Sequence, residues 1–168
     1  MALIKSISGF RGTIGGKTND GLTPIDTVKF VSAFAAFIKE TYNKEKITIV
    51  LGRDARVSGE MVSHLVVGTL MGMGVDVIDT GLSTTPTVEV AVTEKKADAG
   101  IILTASHNPM QWNALKFLNA KGEFISASEG KRVLELAASE DFLFAEVDKL
   151  GHCISDTTTI DMHIEKVL

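Results

Sequence analysis

The sequence predicts an α/β layered fold, a mixed and largely parallel sheet flanked by helices. Three observations carry that prediction. Short apolar runs at 47–51, 75–78 and 99–103 are bounded by glycine or polar residues, as strands buried on both faces are. The segments between them space their apolar residues at helical intervals. Strand-like and helix-like segments alternate along the chain, the order that an α/β layered fold with right-handed crossovers requires.

Taken in order, the first helix opens at Pro24. Val28, Val31, Ala35, Ile38 and Tyr42 fall on one side of it, and Phe30, Phe34 and Phe37 widen that face. Thr23 is placed to cap it, Pro24 suits the first turn, and Asp26 can point back at the cap. The strand at 47–51 ends at Gly52. A second helix follows Ser58, with Met61, Leu65, Val66 and Leu70 turned inward and Gly72 or Gly74 near its end. The strand at 75–78 ends at Asp79-Thr80-Gly81, and Thr85-Pro86 begins a third helix. After the strand at 99–103 the chain turns through Asn108-Pro109 and returns along 113–118. Ser126 with Glu129 reads as a capping box for a helix carrying Val133, Leu134 and Ala137. In the tail, Ile160, Ile164, Val167 and Leu168 line one helical face that needs a surface to pack on.

Bulk properties exclude several classes. The chain has 168 residues, 45% hydrophobic and 23% charged, enough for one cored domain or one domain and a piece of another. A net charge of −4 gives no field that would attract nucleic acid or an anionic membrane. No apolar stretch approaches a membrane span, and the first residues lack a signal-peptide pattern, so a cytoplasmic location is expected. Cys153 is the single cysteine, and no Cys/His cluster suggests zinc.

The candidate chemistry lies in four loops. Residues 12–18, Gly-Thr-Ile-Gly-Gly-Lys-Thr, nearly match a phosphate loop, but Arg11 stands where its first glycine belongs and no helix opens directly. A flexible loop is the better reading. In Ser8-Gly9-Phe10-Arg11-Gly12 an arginine between glycines has backbone free to approach a ligand and a fork suited to phosphate. Gly52-Arg53-Asp54-Ala55-Arg56 places two arginines and an aspartate on the strand-end rim, where an Arg–Asp pair could equally fix the loop before Ser58. Ser106, in Thr-Ala-Ser-His-Asn-Pro, follows another strand end. It is not a Gly-x-Ser-x-Gly elbow, and Ser106 and His107 on extended backbone would point apart, so acyl transfer fits poorly. A serine among cations suits phosphate better, and Lys116 lies on the returning segment nearby. His64 is expected on the amphipathic second helix as a boundary residue, and His152 and His163 in the tail lack a second ligand at metal spacing. Asp76 and Asp79 read as strand-end and turn residues, and Trp112 as a cover for the Asn-Pro loop.

Ala-Asp-Ala-Gly-Ile-Ile-Leu-Thr-Ala-Ser-His-Asn-Pro, followed by Asn113 and Lys116, resembles the phosphoserine loop of the α-D-phosphohexomutases. That superfamily holds the phosphoglucomutases, phosphomannomutases and phosphoglucosamine mutases. Ser-Gly-Phe-Arg-Gly resembles its N-terminal arginine loop, Gly-Arg-Asp-Ala-Arg its Gly-Arg-Asp-x-Arg motif, and Thr85-Pro86 fits the helix before the phosphoserine strand. The three motifs occur in the family's order. Ala114 departs from the pattern, where glycine usually follows the asparagine.

The resemblance implies that Ser106 carries a phosphate, gives it to a sugar monophosphate, and receives the other phosphate of the resulting bisphosphate. It makes Lys116 and Arg11 the candidates for proton transfer and phosphate stabilisation, and His107, Arg53 and Asn108 candidates for phosphate contact. Mg²⁺, held in part by the Ser106 phosphate, and an activating hexose 1,6-bisphosphate are the implied cofactors. The family's Asp-x-Asp-x-Asp magnesium loop is not found in these residues. Residues 1–155 would then be the N-terminal, phosphoserine-bearing domain, and 156–168 the start of the connection to a second domain. Such a piece is expected to fold but not to turn over substrate alone. Its partners would be a phosphosugar and the remaining domains, not nucleic acid or membrane. The rival reading is a non-catalytic α/β interaction module that keeps only the scaffold.

Overall fold

The computed structural model describes residues 1–6 and 8–168. Its strands are β1 (Leu3–Ser6), β2 (Gly9–Thr13), β3 (Thr48–Arg53), β4 (Asp76–Leu82), β5 (Ala99–Leu103), β6 (Trp112–Leu118) and β7 (Cys153–Ser155). They form one seven-stranded sheet in the order β1-β2-β6-β5-β3-β4-β7. β3 is parallel to β4 and β5, and β7 continues parallel beside β4. β6 is antiparallel to both β5 and β2, and β1 is antiparallel to β2. Five strands therefore run one way, and β1 and β6 run against them.

The helices are α1 (Pro24–Tyr42), α2 (Gly59–Gly72), α3 (Thr85–Glu94), α4 (Ala127–Ser139) and α5 (Thr159–Val167). Alternation along the central strands explains how the helices divide between the faces. Ile49, Leu51, Ile101 and Leu103 pack with α1, α2 and α4 on one face, whereas Val50 and Ile102 pack with Val88, Ala91 and Val92 of α3 on the other. Each such aliphatic side chain, buried fully, contributes about 1.5–3 kcal/mol. α5 joins α3, with Met162 against the smaller core, His163 Nδ1 3.0 Å from Thr87 Oγ1, and a Lys166–Glu94 ion pair.

The expected caps are present. Thr23 and Asp26 form a capping box on α1, and the buried Asp26 carboxylate also accepts the Asn19 N–H at 3.1 Å. Ser126 and Glu129 do the same for α4, and Thr84 accepts the Thr87 N–H at the start of α3. Asp79 accepts the Gly81 N–H in the turn that ends β4, and Asp76 pairs with Lys46. In the tail, Ile160, Ile164 and Val167 stand 48%, 51% and 74% exposed, so the apolar stripe read from the sequence is left largely uncovered by the described residues. Among the described residues, no helix is long and apolar enough to cross a membrane.

Three expectations change. α2 buries Val62, Ser63, Val66, Thr69 and Leu70, while Met61 is exposed and Leu65 half-buried. The buried Thr69 hydroxyl is satisfied by donating to the Leu65 carbonyl at 2.7 Å, so a polar residue can occupy the inward stripe. Residues 153–155, unassigned from sequence, add an edge strand. Residues 9–13 are not a free loop but a strand paired on both sides, so the Arg11 backbone is committed to the sheet. The glycine there serves strand contact: a Cβ on Gly9 would lie 1.9 Å from the Leu115 carbonyl oxygen.

Candidate active site

The site is a rim. Leu82, Arg53, Leu103, Leu115 and Phe10 stand in register across β4, β3, β5, β6 and β2, near the carboxyl ends of the parallel strands. β5 runs on through buried Thr104 and Ala105 and emerges at Ser106, which is exposed. Ser106 has φ +55, in the left-handed region, at a cost on the order of 1 kcal/mol for a residue with a side chain. Two local bonds support the turn: the Ser106 N–H donates to Thr104 Oγ1 at 3.1 Å, and the Asn108 N–H to the Ala105 carbonyl at 3.0 Å.

This backbone changes the relation of Ser106 to His107. On extended backbone the two side chains would diverge. The left-handed turn instead brings Ser106 Oγ to 3.5 Å from His107 Nδ1, with both residues exposed.

The sheet also sets Arg11 and Lys116 on one face of neighbouring strands. Arg11 lies opposite Ala114, and Lys116 opposite Gly9 and Ile102. Opposite residues, and residues two apart on one strand, share a face, so Arg11, Ala114 and Lys116 lie on the α3 side of the sheet. Arg11 is exposed and Lys116 half-buried. Arg53 turns elsewhere: its Cδ and Nη1 lie against Gly59 at the start of α2, and it donates to the Asp54 carbonyl at 3.2 Å. Asn108 contributes its backbone to the turn, and its carbonyl accepts from Arg56 at 3.0 Å.

Arg56 is the residue that the sequence did not single out for the site. Its guanidinium reaches the carbonyls of Ser106, Asn108, Pro109 and Trp112, and its Nε donates to Asp54 at 3.1 Å. Asp54 in turn accepts the Arg56 N–H and donates its own N–H to the Leu103 carbonyl, both at 3.1 Å. The loops after β3 and β5 are thus one unit, and the Arg–Asp pair considered from sequence does fix the loop. The sequence signal was the second arginine of Gly-Arg-Asp-Ala-Arg; its acceptors lie about fifty residues away along the chain. Asn113, fully buried, donates to Ser58 Oγ at 2.9 Å and ties β6 to the start of α2. Among the described residues, no group of three or more His, Cys, Asp or Glu side chains could hold a metal ion.

The family described as phosphoglucomutase/phosphomannomutase, alpha/beta/alpha domain I, matches residues 3–144. The chain belongs to this family. Domain I here is 38% identical over 142 residues to a phosphoglucomutase/phosphomannomutase of Thermococcus kodakarensis, covering 83% of this chain and 31% of that one. It is 39% identical over 145 residues to a phosphoglucosamine mutase of Macrococcus caseolyticus, covering 84% and 32%. A phosphoglucomutase/phosphomannomutase family structure from Burkholderia thailandensis superimposes with a TM-score of 0.80 at 22% identity, over 98% of this chain and 35% of that one, and shows the same fold. The chain thus spans about a third of the length of the relatives it matches. Those relatives are named as phosphomutases, which are isomerases.

Proposed function

We propose that this domain I carries the phosphoserine of a phosphohexomutase that interconverts hexose 1- and 6-phosphates of glucose, mannose or glucosamine. The observation that supports it most is the placement of Ser106, an exposed hydroxyl on a left-handed turn at the strand-end rim of a domain of this family. In the forward step the Ser106 Oγ–P bond breaks as an O–P bond forms to a hydroxyl of the hexose monophosphate. That hydroxyl's proton leaves to a base, and a sugar bisphosphate results. After the sugar reorients, its other phosphate returns to Ser106 and the proton is given back.

Each residue has a physical task in this scheme. Phosphoserine brings about −1.5 to −2 of charge to a chain whose net charge is already −4. Arg11 and Lys116, on one face of β2 and β6, offset that charge, and the pair handles the proton. His107 contacts the phosphate from its position beside Ser106 Oγ. Asn108 and Arg53 are the further phosphate-contact candidates, Arg53 from its place against the start of α2 rather than beside Arg11 and Lys116.

The described residues do not make a magnesium site by themselves. Mg²⁺ is proposed for the full-length protein, where this chain's share is the phosphate on Ser106, and hexose 1,6-bisphosphate is the proposed activator. Residues 1–155 act as the phosphoserine-bearing domain and 156–168 begin the connection to the rest. The chain spans about a third of the length of the relatives it matches, so domain I alone is expected to lack turnover. The partners are a phosphosugar and the remaining domains, in the cytoplasm.

Interconversion of hexose 1- and 6-phosphates by the full-length protein, started with hexose 1,6-bisphosphate, tests this reading. Turnover that Ser106→Ala abolishes is expected. Full turnover in Ser106→Ala would overturn the phosphoserine role, and turnover by domain I alone would overturn the need for the other domains.

A further inference from the structure

A guanidinium has five N–H donors, and Arg56 places all five on protein acceptors. Nε donates to Asp54 Oδ2 at 3.1 Å. Nη1 donates to the carbonyls of Pro109 at 3.0 Å and Trp112 at 3.1 Å. Nη2 donates to the carbonyls of Ser106 at 2.6 Å and Asn108 at 3.0 Å. The side chain is only 11% exposed. Among the described residues, the motif's other arginine, Arg53, donates to a single acceptor, the Asp54 carbonyl. Two arginines three residues apart therefore have different chemistry open to them.

We infer that Arg56 is the positioning residue of the Ser106 loop: it binds no phosphate, and instead locks the left-handed turn that presents Ser106 Oγ outward. The inference rests on the reading of Ser106 as the phosphoryl carrier. The mechanism is geometric. A trans peptide is rigid and planar, with its C=O and N–H on opposite sides, and no cis peptide occurs among the described residues. Holding the Ser106 carbonyl on Arg56 therefore turns the His107 N–H away from the guanidinium. The same grip on Asn108, Pro109 and Trp112 closes the turn on its inner side. Asp54 anchors the clamp to β5 through the Leu103 carbonyl, so the turn is fixed to the sheet and not merely to itself. Without this grip, Ser106 has every reason to leave the left-handed region. Lysine cannot substitute, because its ammonium is a point charge with three donors and no planar fork.

The test has two arms, both using Arg56→Lys, which keeps the charge. In the 168-residue chain, amide hydrogen exchange across 104–112 should quicken by about tenfold or more, while α1 and β3 exchange as before. In the full-length protein, kcat should fall on the order of 10²-fold, as misplacement of a reacting group does, with KM for the hexose phosphate unchanged. A protein merely made less stable would instead lose active fraction, with the kcat of each phosphorylated chain intact. Unchanged exchange at 104–112, or a raised KM at unchanged kcat, would overturn the inference. If Arg56→Lys does not fold, Asp54→Asn puts an NH₂ donor in place of one of the two carboxylate oxygens that hold the Arg56 N–H and Nε, leaves the backbone bond to Leu103 and the arginine itself in place, and is read in the same way. Loosening of the loop in a protein whose wild type takes no phosphate on Ser106 would uphold the clamp and refute the phosphoserine reading.

Discussion

Strands β2 and β6 have two faces of opposite character. On the α1 side, Phe10 stacks on Phe30 at 4.0 Å between ring centroids, Phe34 stacks on Phe117 at 4.1 Å, and Phe10 meets Phe117 edge-on at 5.7 Å. On the α3 side the same strands carry Arg11, Ala114 and Lys116. One face is a dry aromatic clamp and the other an open pair of cations. The contrast shows how a site can be rigid without being enclosed: the backbone holding the cations is fixed from behind. Stability and chemistry are assigned to alternate residues, so substitutions one position apart should act on different quantities.

The largest effect should come from the packed face. Phe117→Ala is expected to cost about 3–5 kcal/mol in denaturant unfolding, because it removes an aromatic side chain with no exposed surface. A loss under about 1 kcal/mol would mean that the stack is not what holds β6. Next comes the junction between the strands. Gly9→Ala should cost about 3 kcal/mol, since its Cβ would collide with the Leu115 carbonyl and one strand must move. Arg11→Met and Lys116→Met sharpen the comparison from the other face. Each should leave unfolding free energy within about 0.5 kcal/mol of wild type, while phosphoryl transfer in the full-length protein falls by about 10²-fold or more. Either cation proving as important to stability as Phe117 would erase the division of labour.

The smallest effect lies far from this pair, where α5 meets the sheet. The Lys95 ammonium, 2.7 Å away, together with the Thr158 hydroxyl and N–H, holds the Asp156 carboxyl down at about 2. A carboxyl depressed in the folded state contributes stability that is fully present above its unfolded value, near 3.9, and is lost as pH falls through about 2. Amide exchange over residues 156–166 should therefore quicken between those limits while the central strands stay protected. Asp156→Asn should remove that pH dependence.

Much of this molecule could be read from its chain, for reasons that differ by element. The central strands announced themselves because burial on both faces leaves continuous apolar runs, and the helices because Thr23/Asp26 and Ser126/Glu129 are local signals. β2 was hidden because Gly-Phe-Arg-Gly looks like a loop until its long-range partner β6 is known. β7 was hidden because a three-residue exposed edge strand carries no burial pattern. Ser106 was legible as a type at a strand end and Lys116 as one on the returning segment, but the left-handed φ that draws His107 to Ser106 was not. Met61 misled because helical spacing shows which residues share a stripe, not which stripe faces the sheet. Arg56 remained obscure because its work is done on carbonyl groups, which every sequence contains and none displays.

Intact-mass and fragment-mass measurement on the full-length protein, after incubation with glucose 1,6-bisphosphate, most directly tests whether the Ser106 hydroxyl receives a phosphoryl group. One phosphate per chain, mapped to Ser106 and missing from Ser106→Ala, is the predicted result. A chain that stays unmodified, or one that carries its phosphate on Thr104 or any residue other than Ser106, would contradict it.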